Sequence, residues 1–586
     1  MKRLAVFVCV ALAFGCRGKH APVGSAAIGS AAVGSAIGSA AGSAAAPGVE
    51  LRTAKSGYHV DPTLVGTGKT YLVVSEAPLA TKVGRDVLAA GGNAADAAVA
   101  TAFALAVVHP SAGNLAGGGF AIVRTKTDAR ALDFRETAPA AATPDMFDKA
   151  PKGASLRGDL ASGIPGSVAG LWELHHSKGK LPWKQVIAPA IALAKDGFAV
   201  DPVLHESLES RLKRAPIASG VWSTNHATGE IVKQPELAAT LQLIADKGPD
   251  GFYKGVTAKA IADEMHAHGG LITEADLRGY HAVWREPLRV DYRGRHLITM
   301  PVPSSGGIVI AMTANMLRGI DLAKLGWHST QHVHWLVEVW RRAYAARNEL
   351  LGDPAFVKDM PLAKLLSQDY ADALVATIGP MATPSKAVAQ LLEGNHTTNL
   401  CVIDKDGMAV ALTTTLNTGF GNGTVVAGFL LNNEMDDFAT KPGSPNVYGL
   451  VQGTANKVEP GKRMLSSMSP TVIEDDKGVA MIVGGQGGSR IITEVWQTIS
   501  NVIDFDMPVE AAIAAPRVHH QHLPDEVEIE NDAITADTDR ELRAEGYKLV
   551  EGQAARIYGA ANAIVRTDSG WRGAADPRNG GAAMGD

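Results

Sequence analysis

The 586-residue chain is long enough for several domains or one unusually large one, and 46% hydrophobic against 20% charged residues lets it bury a core. Its 55 Lys and Arg against 60 Asp and Glu leave a net charge of −5, which supplies no general attraction for nucleic acid. Three cysteines, Cys9, Cys16 and Cys401, are too few and too scattered for a disulfide scaffold or a Cys/His zinc cage.

Lys2 and Arg3 precede an apolar run, Leu4 to Phe14, which suits a signal-peptide core and is too short to span a bilayer. Two cleavage readings compete: Ala11-Leu12-Ala13 as an ordinary export site, and Ala13-Phe14-Gly15-Cys16 as a lipobox whose cysteine is lipidated. Lipoproteins usually carry leucine where this chain has Ala13. From Gly24 to Ala46 uncharged Gly-Ser-Ala-Ala units repeat, a composition that makes a flexible tether. A tether is useful directly behind a lipid anchor, so the expected order is a signal peptide at 1–15, then anchor and tether at 16–48. The expected location is periplasmic or cell-surface, with the membrane reached only through that anchor.

The folded part opens with an amphipathic helix over Leu79–Ala90, ended by Gly91-Gly92-Asn93. Ala94 to Val108 is an alanine-rich run that reads as a buried helix stopping at His109-Pro110. Gly113 to Gly119 leads into a strand at Phe120–Val123, and Ala131–Phe134 is a second short strand. Helices follow between Trp183 and Arg278, one of them over Glu236–Lys247, and another over Ile308–Leu317 behind Pro301–Gly307. Thr397–Ile403 and Met408–Thr415 form a hairpin around Asp404–Gly407, which sets Thr413–Thr415 beside Thr397–Thr398 within a residue of register. A second hairpin pairs Ser469–Glu474 with Val479–Val483, and Gly484–Ser489 then loops into a helix from about Ile491. Hairpins flanked by helices predict a layered α+β domain.

Only one of the two glycine-rich segments is excluded as a nucleotide loop. Gly113–Gly119 is followed by a strand and no lysine, whereas Gly484–Ser489 precedes a helix whose N–H groups suit a phosphate or an oxyanion equally. His519-His-Gln-His522 looks like a metal cluster, but adjacent side chains on an extended chain face opposite ways. No metal and no cofactor is expected.

Asn395-His-Thr-Thr398, Thr413–Asn417, Leu431–Phe438, Leu465–Pro470 and Gly484–Arg490 closely resemble the small subunit of γ-glutamyltransferases. Gly91–Asp96, Asp133–Pro139, Ser162–Gly166 and Pro303–Gly307 resemble the large subunit, in the same order along the chain. The resemblance implies a four-layer αββα sandwich of the N-terminal-nucleophile hydrolase type. It also implies a precursor that cuts itself between His396 and Thr397 into a large chain, 49–396 in its folded part, and a small chain, 397–586, which stay associated.

The cut has a chemical purpose. A threonine hydroxyl needs an adjacent base, and a freed α-amine with a pKa of about 7.7–8.0 supplies one. By motif position, Thr397 is the nucleophile and Thr415 orients it, while Gly487 and Gly488 donate N–H groups to the tetrahedral oxyanion. Arg135, Ser466 and Ser467 hold the substrate α-carboxylate; Asn417, Glu434 and Asp437 hold its α-ammonium. Lys441–Gly449 resembles a lid loop with Tyr448 as gate, which favours small γ-glutamyl compounds over a polymer. Asn399 and Cys401 stand where the family usually has histidine and serine.

The expected reaction is γ-glutamyl transfer and hydrolysis of glutathione and related donors, with amino acids or water as acceptors. An amidase of the cephalosporin-acylase type is the enzyme-class alternative, although its glutaryl substrates have no ammonium for Asn417, Glu434 and Asp437. The other alternative is an uncleaved pseudoenzyme serving as a surface binding lipoprotein.

Overall fold

The computed structural model describes residues 61–385, 397–551 and 559–586. The signal peptide, the tether, Cys16 and His396 lie outside the described residues. No helix among the described residues is long and apolar enough to cross a membrane.

Fourteen strands build two seven-stranded sheets. In chain order they are β1 (Val65–Gly68), β2 (Leu72–Ser75), β3 (Gly118–Arg124), β4 (Ala129–Phe134), β5 (Val283–Arg285), β6 (Leu288–Tyr292) and β7 (Arg295–Thr299). The rest are β8 (Thr397–Ile403), β9 (Ala409–Thr415), β10 (Thr471–Asp475), β11 (Gly478–Gln486), β12 (Ala560–Thr567), β13 (Gly570–Ala574) and β14 (Ala582–Gly585). One sheet runs β1-β13-β12-β11-β10-β7-β6 and the other β14-β2-β8-β9-β3-β4-β5, antiparallel throughout. Both sheets therefore mix strands from before and after Thr397.

The strands are apolar on both faces because each sheet is covered on both sides. Residues alternate along β8: Leu400 and Val402 pack outward against helices, whereas Cys401 and Ile403 pack inward with Met481, Val483 and Ala563 of the facing sheet. The outer cover of the β8 sheet includes α1 (Pro78–Ala89) and α2 (Ala94–Val108). The outer cover of the other sheet includes α3 (Gly306–Leu317), α4 (Thr330–Leu350) and α5 (Ile491–Ile503). This is the expected αββα sandwich.

Helix α2 occupies the range read from the sequence and is buried along its whole length. Asn93 and Asp96 close its start as a reciprocal capping box, a feature worth about 1 kcal/mol. The Asp96 carboxylate also accepts from the Lys180 and Leu181 amides, so this buried charge is satisfied.

The second hairpin departs from its sequence reading. Its return strand continues through Gly484 and Gly485 to Gln486, because all three pair with Ala560–Asn562 of β12. The glycines are there for space: a Cβ on Gly485 would sit 2.1 Å from Glu494 Oε1. The glycine loop proper is confined to Gly487 and the short 3₁₀ turn Gly488–Arg490 that opens α5.

Candidate active site

Thr397 is the first residue of β8 and lies directly opposite Thr415 of β9, the register the hairpin predicts. Alternation turns Thr397, Asn399 and Cys401 toward the facing sheet. Asn399 Oδ1 comes within 3.3 Å of where a Cβ on Gly484 would lie, and Cys401 Sγ donates to the Asn562 carbonyl at 3.4 Å. Burial pushes the Cys401 thiol well above its usual range, which leaves it an inert packing group.

Thr397 opens into a tight cavity shared by Arg135, Thr415, Asn417, Glu434, Asp437, Tyr448, Ser466, Ser467 and Gly488. Gly487 is the one sequence-predicted site glycine that does not line it, but it immediately precedes Gly488. The turn holds Gly488 at φ +60°, and a Cβ there would lie 2.3 Å from the Tyr448 ring, so glycine is required twice over.

Arg135 and its two acidic neighbours pair with one another. The Arg135 guanidinium, wholly buried at the end of β4, pairs through Nη1 with Glu434 and through Nη2 with Asp437. Glu136 stands 3.4 Å from Nη1 as well, so three carboxyls crowd one cation. Burial raises the pKa of Glu434 and of Asp437 and pushes Glu136 up to about 8, each opposed by Arg135. Glu434 Oε2 has no hydrogen-bond partner among the described residues.

Asn417 adopts φ +76° just past the end of β9, with its amide donating to Thr415 Oγ1 at 2.8 Å and its Nδ2 to the Asn433 carbonyl at 2.9 Å. Its Oδ1, expected to face a substrate ammonium, accepts from the Tyr448 hydroxyl at 2.6 Å. Tyr448 thus folds over the cavity from the 441–449 segment, and Gln521 fastens it by donating to the Tyr448 carbonyl at 2.9 Å.

Ser466 and Ser467 are held by the Pro303–Gly307 motif. The Ser466 amide donates to the Pro303 carbonyl at 2.9 Å, and the Ser305 amide donates back to Ser466 at 2.8 Å. Sequence reasoning missed Arg347, which lines the same cavity. Its buried guanidinium donates to Ser305 Oγ, Asn348 Oδ1 and Gln452 Oε1 at 3.0–3.1 Å and to Ser467 Oγ at 3.5 Å. Burial lowers its pKa to about 10. The signal was present: Arg347 follows Val333, Val337, Trp340 and Tyr344 on the buried stripe of α4, where an arginine is out of place unless it has work.

Two histidines of the run have local partners. His519 bonds Thr493 Oγ1 and Gln521 Oε1 at 2.7 and 3.0 Å, while His520 donates to the Glu526 carbonyl at 2.9 Å.

An αββα sandwich with a threonine at the head of a central strand, facing a glycine turn across the sheets, is an N-terminal-nucleophile hydrolase. The family model for gamma-glutamyltranspeptidase matches residues 80–586, and the chain belongs to that family. It is 45% identical over 530 residues to the glutathione hydrolase proenzyme of Escherichia coli K12, covering 87% of this chain and 91% of the relative. It is 44% identical over 517 residues to the glutathione hydrolase proenzyme of Pseudomonas aeruginosa, covering 86% and 92%. Among solved structures, the cephalosporin acylase from Bacillus halodurans superposes with a TM-score of 0.80 at 26% identity, over 90% of this chain and 98% of that one.

Proposed function

We propose that this protein cuts itself between His396 and Thr397 and then transfers or hydrolyses the γ-glutamyl group of glutathione and related small donors. Thr397 Oγ attacks the γ-amide while the Thr397 α-amine takes its proton. The amine leaving group departs, and a γ-glutamyl-threonine ester remains for water or an amino acid to resolve. Thr415 orients the hydroxyl, and the Gly487 and Gly488 amides receive the oxyanion.

The observation that carries this reading is the buried cluster of Arg135 with Glu434 and Asp437 on the cavity that Thr397 opens into. A γ-glutamyl group ends in a zwitterion. Its carboxylate can take the guanidinium, with Ser466 and Ser467, while its ammonium takes the two acids. Every buried charge then keeps a counter-charge as the substrate enters. Glu434 Oε2 offers an acceptor that the ammonium would satisfy. A glutaryl group has no such cation, so a cephalosporin acylase reading leaves the two acids without a substrate partner. The Lys441–Gly449 segment closes over the cavity with Tyr448 as its gate, limiting donors to small ones.

The N-terminal sequence supports export, with Cys16 as lipid anchor and residues 24–46 as tether.

Denaturing mass analysis of wild type and Thr397→Ala, alongside a γ-glutamyl-anilide assay, tests the proposal. Two chains and anilide release are expected for wild type, and one inactive chain for Thr397→Ala. An intact wild-type chain would overturn it; two chains that cleave glutaryl-anilide but not γ-glutamyl-anilide would move it to the acylase. Release of labelled lipid with the protein would check Cys16.

A further inference from the structure

The nucleophile's strand loses its neighbour where the chemistry begins. Strand β8 pairs with β2 from Ile403 opposite Leu72 to Leu400 opposite Ser75, and no further. Beyond that point Thr397–Asn399 have β9 on one side and, among the described residues, no strand on the other. A buried strand edge must still satisfy its amides and carbonyls. Antiparallel geometry turns the Asn399 amide and the Thr397 carbonyl toward the open side, the side on which Cys401 faces Val74.

Two side chains take the place of the missing strand. Glu76, the residue at which the chain leaves β2, is 3% exposed, and its Oε1 accepts from the Asn399 amide at 3.4 Å and from Asn399 Nδ2 at 3.0 Å. Gln486, with its amide oriented as its neighbours require, donates to the Thr397 carbonyl and, at 3.2 Å, to Glu76 Oε2. Asn579 Nδ2 closes the set, 2.8 Å from the Gln486 oxygen and 3.3 Å from Glu76 Oε2. Gln486 belongs to the opposite sheet, where it is the last residue of β11 and the one immediately before Gly487. The same side chain therefore touches the nucleophile's carbonyl and adjoins the oxyanion glycines.

We propose that Glu76 and Gln486 are a positioning pair that sets the distance between Thr397 and the Gly487–Gly488 amides. Neither residue reaches the substrate cavity, so the pair acts on the chemical step and not on donor binding. Asn399, which departs from the family's usual histidine, acquires a job here: its amide group ties β8 to Glu76. The idea rests on the γ-glutamyl transfer proposed above for its activity readout, while self-cleavage at Thr397 reads it independently.

The test uses Gln486→Met, Glu76→Ala and Glu76→Gln in the full chain, with thermal melts to show that each folds. Gln486→Met and Glu76→Ala should lower kcat for γ-glutamyl-anilide at least about tenfold, with donor KM within about twofold. Affinity for the boronic-acid analogue of the γ-glutamyl group, which copies the tetrahedral state, should fall by the same factor, and inhibition by L-glutamate should not change. Glu76→Gln keeps an acceptor oxygen for Asn399 and should recover most of the loss. Unchanged kcat and boronate affinity would overturn the proposal, as would a KM rise that accounts for the whole defect. If a variant is purified partly uncut, mass analysis of its first-order conversion to two chains replaces kcat, and conversion at the wild-type rate would overturn the proposal equally. If Glu76→Ala does not melt cooperatively, Gln486→Met decides. A wild type that cleaves itself but releases no anilide defeats the proposed activity, and the conversion rates still judge the pair.

Discussion

The Tyr448 hydroxyl bridges both oxygens of Asn417, reaching its carbonyl at 2.8 Å and Oδ1 at 2.6 Å, and so latches the 441–449 segment onto the end of the Thr397–Thr415 hairpin. The Tyr448 ring rests on Gly488, the residue that begins the turn into α5. One aromatic side chain thereby contacts the floor, the wall and the cover of the cavity.

Tyr448→Phe removes the latch and keeps the ring. A net hydrogen bond is worth about 1 kcal/mol, so donor KM should rise roughly threefold to tenfold with kcat nearly unchanged. Trypsin should cut at Lys441 faster. Steady-state kinetics and timed digestion check both, and an unchanged KM would show that the latch does not retain the donor.

Arg347 should matter as much as any residue that the motifs point to. Arg347→Met leaves Ser305 Oγ and Asn348 Oδ1 buried without this donor, at about 1–3 kcal/mol for each group not re-satisfied, whereas Gln452 Oε1 keeps Asn456 Nδ2 at 2.8 Å. Donor KM should rise at least about tenfold, through misplacement of Ser467. Arg347→Lys keeps the charge but not the fork, and should recover only part of the loss. Normal kinetics in Arg347→Met would refute the assignment.

Donor binding should weaken on acidification earlier than a solvent-exposed carboxylate would allow. Glu434 and Asp437 have raised pKa values, chiefly from burial, and the donor ammonium needs their ionised forms. As pH falls through those raised values, KM for γ-glutamyl-anilide should climb. A γ-glutamyl analogue lacking the α-amine should show no such climb. Parallel KM profiles for the two compounds would argue that the acids do not face the ammonium.

Glu494 makes a stability prediction. Its Oε1 has no hydrogen-bond partner among the described residues, Arg517 stands 3.4 Å from Oε2, and burial pushes its pKa well above the usual range. The folded state then holds a proton that the unfolded state, with a pKa of about 4.3, has released. Such a group contributes stability that is fully present below the unfolded pKa and is lost as pH rises through the folded value. Glu494→Gln should therefore flatten the fall of Tm as pH rises above the unfolded value of about 4.3, and the two proteins should converge at the acid end. Coincident Tm slopes would dismiss the idea.

Local patterning carried much of this architecture. The turn Asp404–Gly407 and the alternation on either side fixed the Thr397–Thr415 register without tertiary information, and α2 was legible because alanine, a capping pair and His109-Pro110 agree on its limits. Gln486 reads as loop because two glycines precede it, whereas Gly485 is required by Glu494, nine residues ahead on α5, and Gly484 packs against Asn399 and Thr413 from the facing sheet. The pocket residues were readable from their motifs, but their mutual pairing was not. Arg135 meets Glu434 about three hundred residues later, and no local pattern encodes that contact. Arg347 and Glu76 fall in the same class, since each acquires meaning only from residues far along the chain.

The interleaving of the sheets decides how the mature protein can be made and unmade. Strands β8 and β9 lie between β2 and β3, and β10 to β13 lie between β7 and β1, so each product of a cut before Thr397 is wedged inside the other. Parting the two products would require both sheets to open, and chains expressed separately would each have to leave two sheets open along their middles while searching for the other. Once unfolded after maturation, the protein has lost the covalent link that made its assembly a unimolecular event, so its working lifetime is set by how slowly it first opens.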